Sequence, residues 1–457
     1  MSRSTWVGVR ARWGRPLVVI AAAVLIAAGC GDDNGGNAAD DTAAPIETSA
    51  PTAETSAPTA ETSAPAAESD VVTDYAAYVG GSGAADASLE PIKIGYISQE
   101  GGPIEVGPTN DDGVEIGVKF INEQAGGIGG HPIELVTCYI ASTEEEGQQC
   151  GQQMANDDSI VAVVEGPIVV GAESMFAALG DKPVISGVSV NAVDTVQGSA
   201  AVLYGGAQYI LAPYATFARD VLGAKSAALV YPEGAGADIP AAGQASAFEA
   251  AGIPVKVVSY PANAPDLTVP LLAADAQNAD LVMPVINPND CVRFEQAIQQ
   301  LGIPDEKVLA SPICLTPTTI EGLGDFPKWI YAIASAQTFD VTDPGVPPYQ
   351  EILTGQGQDA LIGDPWVNVG FGQILTLAKW LNGAGADNLA PEAITEQMLA
   401  FKGPLALGSP VIQCGKYAEA PGVCNDHTQF YQWNGQGSPM TKAGDWVGPP
   451  EGWVAPN

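Results

Sequence analysis

A two-lobed α/β fold, each lobe a parallel sheet with helices on both faces, is the class this chain of 457 residues predicts. Three observations carry that reading. From residue 91, short β-rich runs alternate with amphipathic stretches in units of roughly 25–40 residues, the pattern of a parallel sheet covered on both sides. The alternation starts again as a second set at residue 226. About 365 residues lie beyond residue 90, too many for one compact core and suited to two.

Taken in order, residues 1–16 carry Arg3, Arg10, Arg12 and Arg15 and no acid, and an apolar run of twelve follows from Leu17 to Ala28. That run is short of the ~20 residues of a membrane span and fits the apolar region of an export signal. It closes on Ala27, Ala28, Gly29 and Cys30. This ending resembles the lipobox of bacterial lipoproteins, a resemblance that implies a diacylglycerol thioether on Cys30 after removal of residues 1–29. Residues 31–90 then read as a tether. They contain Glu-Thr-Ser-Ala-Pro three times at a spacing of seven, from Glu47, Glu54 and Glu61. Proline in every repeat and the lack of large apolar side chains exclude a coiled coil, and nothing there offsets the entropy of ordering. Sixty such residues reach roughly 40–45 Å.

The first strand is PIKIGYIS (91–98), followed by cap residues Pro108 to Asp112 and a helix with Val114, Gly117, Val118 and Ile121 on one face. IELVTC (133–138), a helix opened by Ser142 to Glu146, IVAVVEG (160–166), a helix around 172–179 and PVISG (183–187) continue the series. The second set is SAALVY (226–231), VKVVSY (255–260), DLVMPVI (280–286), VLAS (308–311) and IYAIASA (330–336). A late helix at 367–383 and a late strand at 429–433 return to the lobes.

Net charge is −36 overall, and without the four signal arginines 13 basic residues face 53 acids, a net −40. Such a surface repels nucleic acid and anionic lipid and serves solubility. Beyond Cys30 there are six cysteines, an even number that in an exported chain signals disulfides. Spacing favours Cys138 with Cys150, Cys291 with Cys314, and Cys414 with Cys424. Zinc is excluded by the absence of any CxxC pair and by the presence of only His131 and His427.

The run IKIGYISQEGGP, the helix GVEIGVKFINEQAGGIGGHPIELV and the FEQAIQQLGI helix (294–303) resemble type I periplasmic-binding proteins. They most resemble the leucine/isoleucine/valine-binding branch of ABC-importer substrate-binding proteins, over about residues 91–440. The resemblance implies two Rossmann-like lobes joined by three crossovers and closing on a ligand. It divides the folded chain into 91–211 with 337–413, and 212–336 with 414–457. It also implies as partners one small solute and one ABC permease in the cytoplasmic membrane, for an extracytoplasmic monomer held by its lipid alone.

In doubly wound sheets ligands bind beyond the carboxyl ends of the strands. Those ends hold Gln99, Glu100, Gly101, Gly102 and Pro103, then Val169, then Ser189, Val190 and Asn191, with Gln208 at the first crossover. The second lobe offers Tyr231, Asn287 and Asn289. In the leucine-binding branch a serine after the third strand and a threonine after the fourth hold the ligand carboxylate, and two acids hold its ammonium. The carboxylate positions fall near 169–171 and on Val190; the acid positions fall on Gln208, Asn287 and about Pro312. Both acids are therefore missing, with Glu100, Glu105, Glu233, Asp238 and Asp290 the nearest substitutes. An unpaired buried ammonium costs several kcal/mol, so an amide or an amine-free carboxylate suits the site as well as an amino acid does. No G-x-S-x-G, P-loop or dinucleotide fingerprint occurs in context, and neither histidine lies at a strand end. The expectation is a binding protein without cofactor or metal, serving either transport or, alternatively, ligand sensing without transport.

Overall fold

The computed structural model describes residues 71–457 except 104–106, 190, 191, 235, 236, 437, 439 and 457. The export signal, Cys30, the tether up to residue 70, Glu105, Val190 and Asn191 lie outside the described residues.

Order begins earlier than the tether reading places it. α1 (Tyr75–Val79) is capped by Asp74, whose side chain accepts from the Ala77 N–H, and ends on Gly80 in the left-handed region. Tyr75, Tyr78 and Val79 are buried at i, i+3 and i+4, the spacing of one helix face. The Tyr75 hydroxyl donates to Gly345 O at 2.7 Å, and Tyr78 bonds the Thr376 hydroxyl at 3.2 Å. Three apolar anchors thus overcome an Ala- and Gly-rich context.

The first lobe runs β1 (Ile92–Gln99), α2 (Asn110–Gln124), β2 (Ile133–Ile140), α3 (Glu144–Asn156), β3 (Ile160–Glu165), α4 (Ala172–Leu179), β4 (Val184–Ser186), α5 (Ala192–Val196) and β5 (Ala200–Val202). The strands form one parallel sheet in the order β2-β1-β3-β4-β5. β1 is buried on both faces along nearly its whole length, as a central parallel strand must be. α3 opens on a capping box in which Thr143 and Glu146 satisfy each other's backbone.

A first crossing leads through α6 (Ala207–Leu211) and α7 (Pro213–Asp220) to the second lobe. There β6 (Ala227–Pro232), α8 (Asp238–Ala250), β7 (Val255–Tyr260), α9 (Thr268–Ala273), β8 (Leu281–Pro284), α10 (Cys291–Leu301), β9 (Leu309–Ala310), α11 (Pro317–Leu323) and β10 (Ile330–Ile333) follow. The chain crosses back to α12 (Val346–Gly355), α13 (Pro365–Ala384), α14 (Pro391–Ala400) and the short ladder β11 (Lys402–Gly403) with β12 (Ile412–Gln413). It crosses a third time into β13 (Thr428–Gln432) and β14 (Thr441–Val447). β7-β6-β8 is parallel, a bridge from Val282 to Val308 carries it on towards β9 and β10, and β13 and β14 add antiparallel at the far edge. The second sheet is therefore mixed, where the strand pattern alone predicts parallel pairing.

α13 seats the late return on the first lobe. Its Gln373 Nε2 donates to Glu165 O at 2.8 Å, and its Oε1 accepts from Asn110 Nδ2 at 3.0 Å. α2 comes so close that a Cβ on Gly113 would stand 2.2 Å from Val367 O. The three crossings meet where the third enters β13: Thr428 Oγ1 donates to Ile210 O of the first crossing at 3.0 Å, and Gln429 Nε2 donates to Ser335 O of the second at 2.9 Å. Disulfides join Cys138 to Cys150 (β2 to α3), Cys291 to Cys314 (α10 to the turn after β9) and Cys414 to Cys424 within the third crossing.

Candidate functional site

The carboxyl ends of both sheets carry the loops to which sequence assigns the ligand. Gln99, the last residue of β1, does not face solvent: it is 1% exposed. Its Oε1 accepts from Val169 N–H at 2.7 Å and Val170 N–H at 3.1 Å. The next amide, Gly171, donates to Glu144 Oε1 at 3.0 Å, and Ser174 donates to Glu144 Oε2 at 2.7 Å. The amides before α4 are thus satisfied by side chains of the chain itself. Beyond them Gly101 and Pro103 are exposed, Glu100 and Gly102 half-buried, and Val169 is 39% exposed.

After β4, Ser189 is 6% exposed and its N–H donates to Gly205 O at 3.1 Å, which ties this loop to the first crossing. Its side chain donates to Asp194 of α5. Asp194 and Glu165, the last residue of β3, are each 1% exposed and act on one another. Ser186 donates to Glu165, yet Glu165 Oε2 and Asp194 Oδ1 are buried without hydrogen-bond partners. Burial, and for Glu165 also the neighbouring Asp194, raises both carboxyls above the ordinary carboxylate range. Sequence reasoning passed over this pair. The only signal was an acid ending an otherwise apolar strand run.

Gln208 on α6 is half-buried and faces α8, where a Cβ on Gly243 would lie 2.5 Å from its Cβ. Its Oε1 is buried without a partner. In the second lobe Tyr231 at the end of β6 is half-buried, while Asn287 and Asn289 after β8 are exposed. The acids near these positions are committed or remote from burial. Asp290 is buried against Arg293 and accepts from the Tyr260 hydroxyl at 3.0 Å. Glu233 and Asp238 are exposed.

His131 Nδ1 meets Glu90 O and His427 Nδ1 meets Asp426 Oδ1, both at 2.7 Å, so each ring is tied locally. Among the described residues no group of three or more His, Cys, Asp or Glu could hold a metal ion, and no helix is long and apolar enough to cross a membrane. The arrangement is one of hydrogen-bonding loops around two sheet ends, suited to holding a solute.

A family model described as periplasmic binding protein matches residues 91–434, and the chain belongs to that family, whose members bind solutes and are not enzymes. No curated protein sequence matches it. Among solved structures, an ABC transporter substrate-binding protein from Sphaerobacter thermophilus aligns with TM-score 0.62 at 19% identity, over 79% of this chain and 99% of its own. The leucine-binding protein LivK from Thermotoga maritima aligns with TM-score 0.59 at 18% identity, over 78% and 99%. A fatty acid ABC transporter substrate-binding protein from Thermomonospora curvata aligns with TM-score 0.59 at 15% identity, over 82% and 98%. At these identities the likeness is one of fold.

Proposed function

We propose that this chain is an extracytoplasmic lipoprotein, anchored through Cys30, that closes its two lobes on a small solute and presents it to an ABC permease. The observation that carries the reading is the set of three adjacent crossings between two sheets, a hinge between two sets of strand-end loops. Residues 91–211 with 337–413 form one closing lobe and residues 212–336 with 414–457 the other. The contacts fall to Gly101, Gly102, Pro103, Val169, Ser189, Val190, Asn191 and Gln208 on one side and Tyr231, Asn287 and Asn289 on the other.

The solute is neutral at the end that an amino acid would carry its ammonium. Gln208 and Asn287 stand where the leucine-binding branch has acids, and Asp290 is already neutralised by Arg293. The partnerless Gln208 oxygen suits a neutral N–H donor, such as an amide. Structural neighbours are named for leucine, isoleucine and fatty acid; the polar lining here supports a different, amide- or hydroxyl-bearing solute. Denaturing the purified protein and identifying the released small molecules by mass spectrometry tests this, followed by calorimetric rebinding. One neutral polar solute that rebinds is expected. Catalytic turnover of that solute, or release of a free amino acid, would contradict the reading.

A further inference from the structure

We propose that the disulfide-closed loop 414–424 is a strap across the hinge, rooted in the first lobe and seated by its tip on the second, that restrains how the lobes move relative to one another. The inference rests on the two-lobe solute-binding reading above and concerns its control. The strap itself is argued from contacts that no solute makes.

Its root lies in the first lobe. Cys414 and Cys424 are buried in the apolar core that also holds the inner faces of α2 and α13. Cys414 N–H donates to Phe401 O, just after α14, and Gln413 N–H donates to Cys424 O. Residues 422–424 run beside β5 in parallel: Val202 N–H donates to Gly422 O at 2.7 Å and Cys424 N–H to Val202 O at 3.1 Å. The disulfide joins the two ends of the loop, so the residues between them have far less freedom than an open chain of that length.

The tip belongs to the other lobe. Ala420 and Val423 are buried in the second apolar core, with Leu229 of β6 and Phe248 of α8, and Tyr417 packs against the same core. The Tyr417 ring lies 4.6 Å from that of Tyr209 on α6, and Tyr209 meets Trp453 edge-on at 5.8 Å. Trp453 Nε1 in turn donates to the Ser246 hydroxyl of α8 at 2.9 Å. The loop also grips the crossing it spans. The Tyr417 hydroxyl donates to Asp426 Oδ2 at 2.6 Å, and Lys416 Nζ donates to the same oxygen. Asp426 is 3% exposed and lies between Cys424 and the start of β13. A turn of the lobes about this segment must therefore slide or part the Tyr417–Tyr209–Trp453 stack and disturb the seat of Ala420. Contacts made in one lobe arrangement and lost in another shift the balance between them.

The test is the distance between the lobes in the full-length protein, dialysed from urea to remove bound solute. Nitroxides on p-acetylphenylalanine at Glu173 of α4 and Ile239 of α8, both exposed, report it by double electron–electron resonance and spare the native disulfides. Tyr417→Ala, and Cys414→Ser combined with Cys424→Ser, should broaden the distance distribution. Tyr417→Phe, which keeps the stack, should match the wild type, as should Cys138→Ser combined with Cys150→Ser, which opens a disulfide away from the hinge. A folded Tyr417→Ala with the wild-type distribution would overturn the inference. Equal broadening in the Cys138→Ser, Cys150→Ser protein would do the same, because it would assign the effect to general loosening. If Tyr417→Ala does not fold, Trp453→Ala decides from the second-lobe end of the stack, with broadening expected and an unchanged distribution contradicting the strap. Because no solute is present, failure removes the strap and leaves the solute-binding reading standing.

Discussion

Glu165 and Asp194 place two carboxyls in the core of the first lobe, and among the described residues the charge acting on Glu165 is that of Asp194. Burial is the larger cause of the upward shift in each. The folded chain therefore holds protons that the unfolded chain has released once pH exceeds about 4. Raised native values mean that stability from this pair is complete below that pH and is lost as pH rises towards those values. Asp194→Asn is expected to flatten the decline, read as urea midpoints across a pH series; an unchanged slope would assign it elsewhere. At the cleft, Asn287→Ala should weaken solute binding by about 1–3 kcal/mol, the cost of leaving a buried polar group without its partner. Calorimetry checks this, and the melting temperature of the solute-free protein should barely move because Asn287 is exposed. These residue-scale features divide by how visible they were. Asn287 and Gln208 are proposed contacts that the family resemblance points to from the sequence alone. The hydrogen bonds of Gln99 are not legible there, because its oxygen meets amides seventy residues away, and only the alignment of β1 with β3 brings them together.

At the scale of elements, α2 and α13 pack in close backbone contact. A methyl on Gly113 would collide with Val367 O, and one on Gly370 would stand 2.2 Å from Asn110 O. Gly113→Ala should separate the helices and destabilise the protein by about 1–3 kcal/mol, as overpacking does, measured by chemical denaturation. α1 gives a second case. Tyr75→Phe should cost about 0.5–1.5 kcal/mol, the net worth of the hydrogen bond to Gly345 O; no loss would mean that packing alone holds α1. Most strands and long helices were legible because their apolar residues repeat at period 2 or 3.6 or form unbroken runs. β5 is three residues long and too short to show a period. β14, TKAGDWV, is exposed or half-buried throughout and forms only because β13 pairs with it. α1 carries Tyr75, Tyr78 and Val79, a kind of residue the repeats before it lack, but at five residues it is too short to show a helical period.

For the whole molecule, the chain is an extracytoplasmic member of the periplasmic binding protein family, and the proposal adds that it is held to the membrane through Cys30. Cys30→Ser is expected to yield an unprocessed or released product; partition of that variant into detergent as a processed lipoprotein would remove the anchor from the account. The central claim is that two lobes close on a solute. Small-angle X-ray scattering of the solute-free protein, titrated with the solute identified by mass spectrometry, tests it most directly. The account predicts a fall in radius of gyration that saturates at one equivalent. Calorimetrically tight binding with an unchanged scattering curve would contradict it.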